Sequence, residues 1–431
     1  MAPDDPQLLF RRQVDRWTLA AVRRGVEHFG GLLSALPGVY PPIVAASLSR
    51  LRQEGAISSE QYRQARTRQT PDDRGSILCS PPALPPPHPL DFDWRYTDRT
   101  VDRLLRLAAS VTEPGDTIAL LGTPSVYAAS LGRGLDRQWV LLEGSEATVR
   151  HLQTAGPLQA VHRCDVARGD IPALGAAAVV ADPPWYPGHI EAFLWTATAC
   201  ARSGASIVMS LPPAGTRPGI ASERRRFRGA VAALGLEMKV IRRNWLAYST
   251  PPFETNALRA AGWDDPPREW RRGDIAILRA HGSAIGPRPC IGGSPAGWDE
   301  VMLGWTRIRV LPRAPGPEFD PSLRPLVPGN VLADVSSRNP VRDKVNVWTS
   351  GNRIYHTRTP SAVIAMLKAM AAGSNARDAA TSTIGRVPTR SEERAIVTTV
   401  RQLSLIASIE GRELAGYGWP TDAGLRVKRA S

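Results

Sequence analysis

An apolar run, Ala178-Val179-Val180-Ala181, ends on Asp182-Pro183-Pro184-Trp185-Tyr186. Bounded by Gly175 and Pro183, the run reads as a buried strand. Proline has no amide to give to a ladder, so the strand is expected to stop at Asp182. That places a carboxylate and an indole at a strand's carboxyl end, where open α/β sheets bind their ligands. The chemistry suits a planar exocyclic amine. Asp182 and the Pro183 carbonyl can accept both hydrogens of an –NH2 group and turn its lone pair toward an electrophile. Trp185 offers a flat face on which a base can stack. The plainer alternative is a strand closing in a Pro-Pro turn beside an ordinary buried tryptophan.

Strand and helix patterns alternate around this stretch. Residues 116–122, 139–143, 160–165 and 205–211 read as strands, and 125–133, 148–154 and 189–201 as helices. Repetition at this interval predicts a parallel sheet with right-handed crossovers. Residues 237–241 and 274–278 are expected to close it as an antiparallel pair. Gly122 ends the first strand. Glu143 ends the second, about twenty positions later, where an acid can hold ribose hydroxyls. Asp165 ends the third.

Asp182, Pro183, Pro184 and Trp185, directly after a hydrophobic strand, resemble the Asp-Pro-Pro-aromatic motif of S-adenosylmethionine-dependent amino-methyltransferases acting on adenine N6 or cytosine N4. The resemblance covers roughly residues 90–280. It implies a Rossmann-like methyltransferase sheet, S-adenosyl-L-methionine as cofactor, and those four residues as the catalytic set. Gly122 would approach the methionine part of the cofactor, Glu143 its ribose and Asp165 its adenine amino group. Tyr186, Tyr248, Phe253 and Arg225 are the candidate substrate contacts, with Phe253 and Tyr248 in the long segment between the last two strands. One departure stands out: Pro124 occupies a place in the first loop where the family commonly has a second glycine.

The chain has 431 residues, 54 basic and 40 acidic, for a net charge of +14, and nearly all the basic residues are arginine. Guanidinium groups pair well with oxyanions, so the charge suits phosphate and nucleic acid. Cys79, Cys164, Cys200 and Cys290 are scattered, with no CxxC pair and no histidine at ligand spacing, so no metal site is expected. An acidic, polar start and the lack of a long apolar run predict a soluble, cytoplasmic protein with no membrane partner.

Residues 1–70 read as a winged-helix-like domain, with a helix over 7–29, two shorter helices, and Gly55–Ser58 as the first strand of a wing. Ser49, Arg50 and Arg52 would then meet a duplex, unless the domain is a helical cap or dimerisation surface. Residues 71–90 read as a Pro-rich linker, 91–285 as the Rossmann-like domain, and 286–431 as an α+β module. In that module the hairpin signal Ser350-Gly351-Asn352 lies among Arg338, Lys344, Trp348, Arg353, Tyr355 and His356, a basic and aromatic mixture that suits nucleic acid. Homo-oligomerisation or partner subunits of a modification system fit this layout.

Two other readings stay open. The layout also looks like branched-chain polyamine synthases, which are aminopropyltransferases, although Thr123-Pro124-Ser125 replaces that family's acidic cluster. The altered first loop also fits a degenerate methyltransferase fold that binds nucleic acid or scaffolds a complex.

Overall fold

A computed structural model describes residues 5–67, 84–133, 136–157, 160–263, 266–282, 286–291, 297–312 and 318–420. Cys79, most of the Pro-rich stretch and the residues after Pro420 lie outside these. The chain divides into two units. One comprises Met1–Leu84, Trp94–Thr250 and Pro267–Gly292, the other Pro85–Asp93, Pro251–Pro266 and Gly293–Ser431.

The first unit is built on the predicted alternation. After α5 (Asp98–Ser110) come β1 (Thr117–Leu121), α6 (Pro124–Leu131), β2 (Gln138–Glu143), α7 (Glu146–Ala155), β3 (Val161–Arg163), β4 (Ala176–Ala181), α8 (Pro187–Cys200), β5 (Ala201–Leu211), α9 (Ile220–Ala233), β6 (Leu236–Ala247) and β7 (Arg272–Ala280). The seven strands form one sheet in the order β3-β2-β1-β4-β5-β7-β6. β1 to β5 run parallel, and β7 is antiparallel to both β5 and β6. Two apolar layers cover the sheet. One packs α8 and α9 through Phe193, Leu194 and Phe227, and the other packs α5 to α7 through Leu104, Val126 and Leu152. β4 is buried along its whole length, as its run of Ala and Val requires.

The N-terminal segment departs from the winged-helix expectation. Its described residues hold four helices, α1 (Pro6–Arg23), α2 (Phe29–Ala35), α3 (Pro41–Gln53) and α4 (Ser59–Arg66), and no strand. α1 stops early because Gly25 takes φ +85°. The residues read as a wing turn into α4, where Ser58 and Gln61 form a reciprocal capping box. The side chains expected to meet a duplex are taken up locally. Arg50 pairs with Asp15 at 2.7 Å, and Arg52 lies 4.8 Å over the Tyr62 ring.

The second unit holds α10 (Pro252–Ala260), an antiparallel sheet in the order β10-β12-β11-β9-β8, and helices α11 to α13 (Pro360–Ala371, Ala376–Ser382, Arg390–Ala415). The strands are β8 (Asp299–Leu303), β9 (Thr306–Val310), β10 (Arg324–Pro325), β11 (Val347–Thr349) and β12 (Ile354–His356). The predicted hairpin is present, and its central residues are engaged inside the unit. Trp348 and Tyr355 are buried, and Arg353 is held by Glu410 and Glu413. Arg338 and Lys344 remain exposed.

Candidate active site at the carboxyl edge of the sheet

The backbone ladder carries the sequence-predicted residues to one edge. Cys164 N–H donates to Glu143 O (2.9 Å), Gly122 N–H to Leu142 O (3.0 Å) and Asp182 N–H to Leu121 O (3.1 Å). Glu143, Gly122 and Asp182 therefore follow the ends of three neighbouring strands. Gly122 takes φ +63°, and a Cβ there would lie 3.3 Å from the Phe193 ring and 3.4 Å from the Asp182 carbonyl. Glycine is needed for both the turn and the close approach.

Asp182 is half-buried, with its carboxylate directed into protein. Its Oδ1 accepts from Tyr248 (2.9 Å) and from the Ser210 hydroxyl. Tyr96 hydrogen-bonds to it as well. Ser210 comes from the end of β5, and Tyr248 follows β6. Tyr96 reaches the site because its segment makes a bridge with Tyr248, and the two rings stand 4.8 Å apart. Burial raises the Asp182 carboxyl to about 6, against the pull of its hydroxyl donors and of Arg271.

Trp185 is not the open shelf that the sequence suggested. It is 4 % exposed. Its indole N–H donates to Ser210 Oγ (3.3 Å), and its ring meets Tyr248 edge-on at 5.6 Å. The Arg271 guanidinium lies 4.1 Å from the Trp185 ring centre and 4.3 Å from that of Trp94, so a planar cation covers the indole. Behind it, a Cβ on Gly273 would sit 3.0 Å from the indole. In an Arg271→Ala variant the Asp182 carboxyl is expected to titrate above 6, because a cation that favours its ionised form is gone. ¹³C NMR of carboxyl-labelled aspartate, with Asp182→Asn assigning the signal, measures this. An unmoved midpoint refutes the coupling.

The remaining candidates divide. Tyr186 directly precedes α8, and its ring lies tilted against that of His189 with centroids 6.0 Å apart. His189 itself is half-buried. Phe253 is buried in α10 of the second unit, whereas Tyr248 joins Asp182 in the first. Arg225 is exposed on α9 beside two arginines already committed, Arg224 to Asp274 and Arg226 to Glu191. Asp165 Oδ1 accepts from Ala167 N–H (3.0 Å), and Oδ2 pairs with Arg168. Sequence reasoning missed Ser210 and Arg271. Ser210 had a signal, as the one hydroxyl near the end of an apolar strand beside the Asp182 strand. Arg271 had none.

The first loop leads directly into α6. Pro124 is the first residue of α6, where a missing amide costs the helix nothing. Thr123 Oγ1 is buried beside it with no hydrogen-bond partner.

The strand order, the antiparallel seventh strand and the helices on both faces define a Rossmann-like fold of the methyltransferase type. Neither a family model nor a curated protein sequence matches the chain. Among solved structures it is similar to a mutein of the branched-chain polyamine synthase from Thermus thermophilus, in complex with N4-aminopropylspermidine and 5'-methylthioadenosine. The identity is 15 %, over 67 % of this chain and 95 % of that one, with a TM-score of 0.51. The synthase without those changes gives a TM-score of 0.45 at 15 % identity over the same shares. A T. thermophilus 16S rRNA N2 G1207 methyltransferase with AdoMet and guanosine gives 0.27, at 19 % identity over 53 % of this chain and 52 % of that one. These likenesses are of fold.

Proposed function

We propose that the chain transfers a methyl group from S-adenosylmethionine to the exocyclic amino group of a nucleic-acid base, adenine N6 being the favoured acceptor. The observation that carries the reading is Asp182: a buried carboxylate, lined by hydroxyl donors, at the sheet edge beside Gly122. Gly122, Glu143 and Asp165 would hold the cofactor, which supplies an electrophilic methyl on sulfur. Asp182 Oδ1 is engaged by Ser210 and Tyr248, so the amine hydrogens fall to its remaining lone pairs and to the Pro183 carbonyl. A carboxylate titrating near 6 also holds the proton that the methylated nitrogen sheds. Arg271 covers Trp185, so the base stacks on the indole only when that guanidinium turns aside. A base in a duplex must in addition be extruded, at a cost of a few kcal/mol.

One observation favours a second reading, aminopropyl transfer to a polyamine: the polyamine synthase is matched over nearly its whole length. The local charge argues against it. Arg271 stacks on Trp185, so a polycation would meet like charge there.

The test supplies methyl-labelled S-adenosylmethionine with DNA, RNA or spermidine, and decarboxylated S-adenosylmethionine with spermidine. Label in nucleic acid is the expected result. An aminopropylated product instead supports the second reading. No product, with no heat of cofactor binding in calorimetry, leaves a scaffold and overturns both.

A further inference from the structure

A cavity of about 890 Å³ opens within the first unit. One wall is α1. Phe10, Gln13, Trp17, Ala20 and Arg24 line it at helical spacing. The opposite stripe of that helix buries Val14, Thr18, Ala21 and Val22. The other wall comes from α9, the loop after β5 and the irregular stretch of β6. The walls meet by close backbone approach: a Cβ on Gly215 would lie 2.6 Å from the Pro37 carbonyl, and one on Gly38 would lie 2.4 Å from Pro213.

The second wall is basic. Arg217 and Arg224 are neutralised by Glu223 and Asp274. Arg24, Arg228 and Arg243 line the same cavity and have no carboxylate partner among the described residues. Arg243 is held there by a fixed backbone. Between Arg242 and Leu246 the register of β6 shifts, Asn244 takes φ +52°, and its N–H donates to Asp274 Oδ1 at 2.8 Å. Arg228 and Arg243 both act on buried Arg224, pushing it in the direction that burial does, below its ordinary range. Grouping like charges costs free energy unless an anion joins them.

An aromatic wall that ends in Arg24 and faces Arg228 and Arg243 suits a flat ring that carries phosphate. We infer that this cavity binds a nucleotide, its phosphate against Arg24, Arg228 and Arg243 and its ring against Phe10 and Trp17. Arg217 lines the cavity and also donates to the Trp185 carbonyl, so the site adjoins the Asp182 motif. Naming the bound nucleotide as the methyl acceptor rests on the reading of Asp182 above; the binding site itself does not.

The probes are a fluorescein-labelled twelve-residue oligo(dA), followed by anisotropy, and ADP, followed by calorimetry. Binding of ADP assigns a free nucleotide, and binding of the oligonucleotide alone assigns a polymer. Arg228→Gln and Arg243→Gln are each expected to weaken the bound probe about tenfold. Trp17→Ala is expected to weaken it about fivefold or more, which attraction by net charge alone would not do. Equal affinity in all three variants, or no binding of either probe by the unaltered chain, overturns the inference. Thermal melts confirm that the variants are folded. Asp182→Asn keeps the site in this account. Retained binding without transfer in the unaltered chain therefore counts against the Asp182 reading and for the cavity. Transfer with normal binding by the three variants does the reverse.

Discussion

Asp182→Asn is expected to abolish methyl transfer, by about a thousandfold or more, and at neutral pH to make the protein more stable. The two effects share one cause. Burial raises the carboxyl from 3.8 to about 6. The folded state therefore binds its proton more tightly than the unfolded chain does, so Asp182 favours folding while protonated. That benefit is lost as pH rises through about 6. Above this, the ionised group costs up to about 3 kcal/mol. Asparagine keeps an oxygen to accept from Ser210 and Tyr248 but carries no charge to desolvate. Its advantage should be largest at pH 7.5 and vanish near pH 3, below the carboxyl's pKa in both states. Melting temperatures at the two pH values measure this, and calorimetry should find the cofactor bound as before. A variant that melts lower at pH 7.5 would make the carboxylate a structural element and sink the catalytic reading.

The same titration sets the pH dependence of the reaction. In the proposed reaction the ionised carboxylate orients the amine, so the rate should fall with an acid limb near pH 6. The limb belongs to Asp182 only if Arg271→Ala moves it upward.

The strands that hold this site were legible because they are apolar runs with breakers at fixed ends. Proline stops β4 at Asp182 and glycine turns the chain after β1, so the order of Gly122, Glu143 and Asp182 along the edge could be read. β6 was read too short. As an edge strand it exposes Lys239, Arg242 and Arg243, and charges that blunt an edge also hide it from a search for apolar runs. The wing failed for a local reason. Ala56 and Ile57 have strand character, but Ser58 and Gln61 cap a helix, and the cap decides the conformation. The environment of Asp182 was not legible. Ser210, Tyr248, Tyr96 and Arg271 converge through the pairing of β5, β6 and β7 and one isolated bridge, and none of these pairings has a sequence spacing. The burial of Trp185 follows from the same convergence.

The second unit carries the largest expected loss of stability. Arg307 is fully buried. Its guanidinium donates to Glu300 (2.8 and 3.0 Å), Asp91 (2.7 Å) and the Pro86 carbonyl (2.9 Å). Arg309 closes the network, donating to Glu300 at 2.6 Å and pairing with Asp91 at 2.7 Å. Burial alone would raise both carboxyls. Arg309 and Arg307 reverse this, holding Asp91 far below its ordinary range and Glu300 at about 2. His88 lies in the same interior and stays neutral. Burial holds it well below its ordinary value, and its Nδ1 accepts from Leu90 N–H while Nε2 meets the Trp348 carbonyl. Arg307→Met fills the space but leaves two buried carboxylates to share Arg309. The expected cost is about 3–5 kcal/mol, seen in calorimetry as earlier melting of this unit. The sign of its pH dependence is fixed. In the unaltered chain the depressed carboxyls stabilise above about pH 4, and the benefit fades as pH falls toward 2. In the variant their pKa values rise, so acidification neutralises the stranded charges and the gap between the two proteins should narrow from pH 7 to pH 4. A gap that does not change with pH would assign the loss to packing and dismiss the charge network as its source.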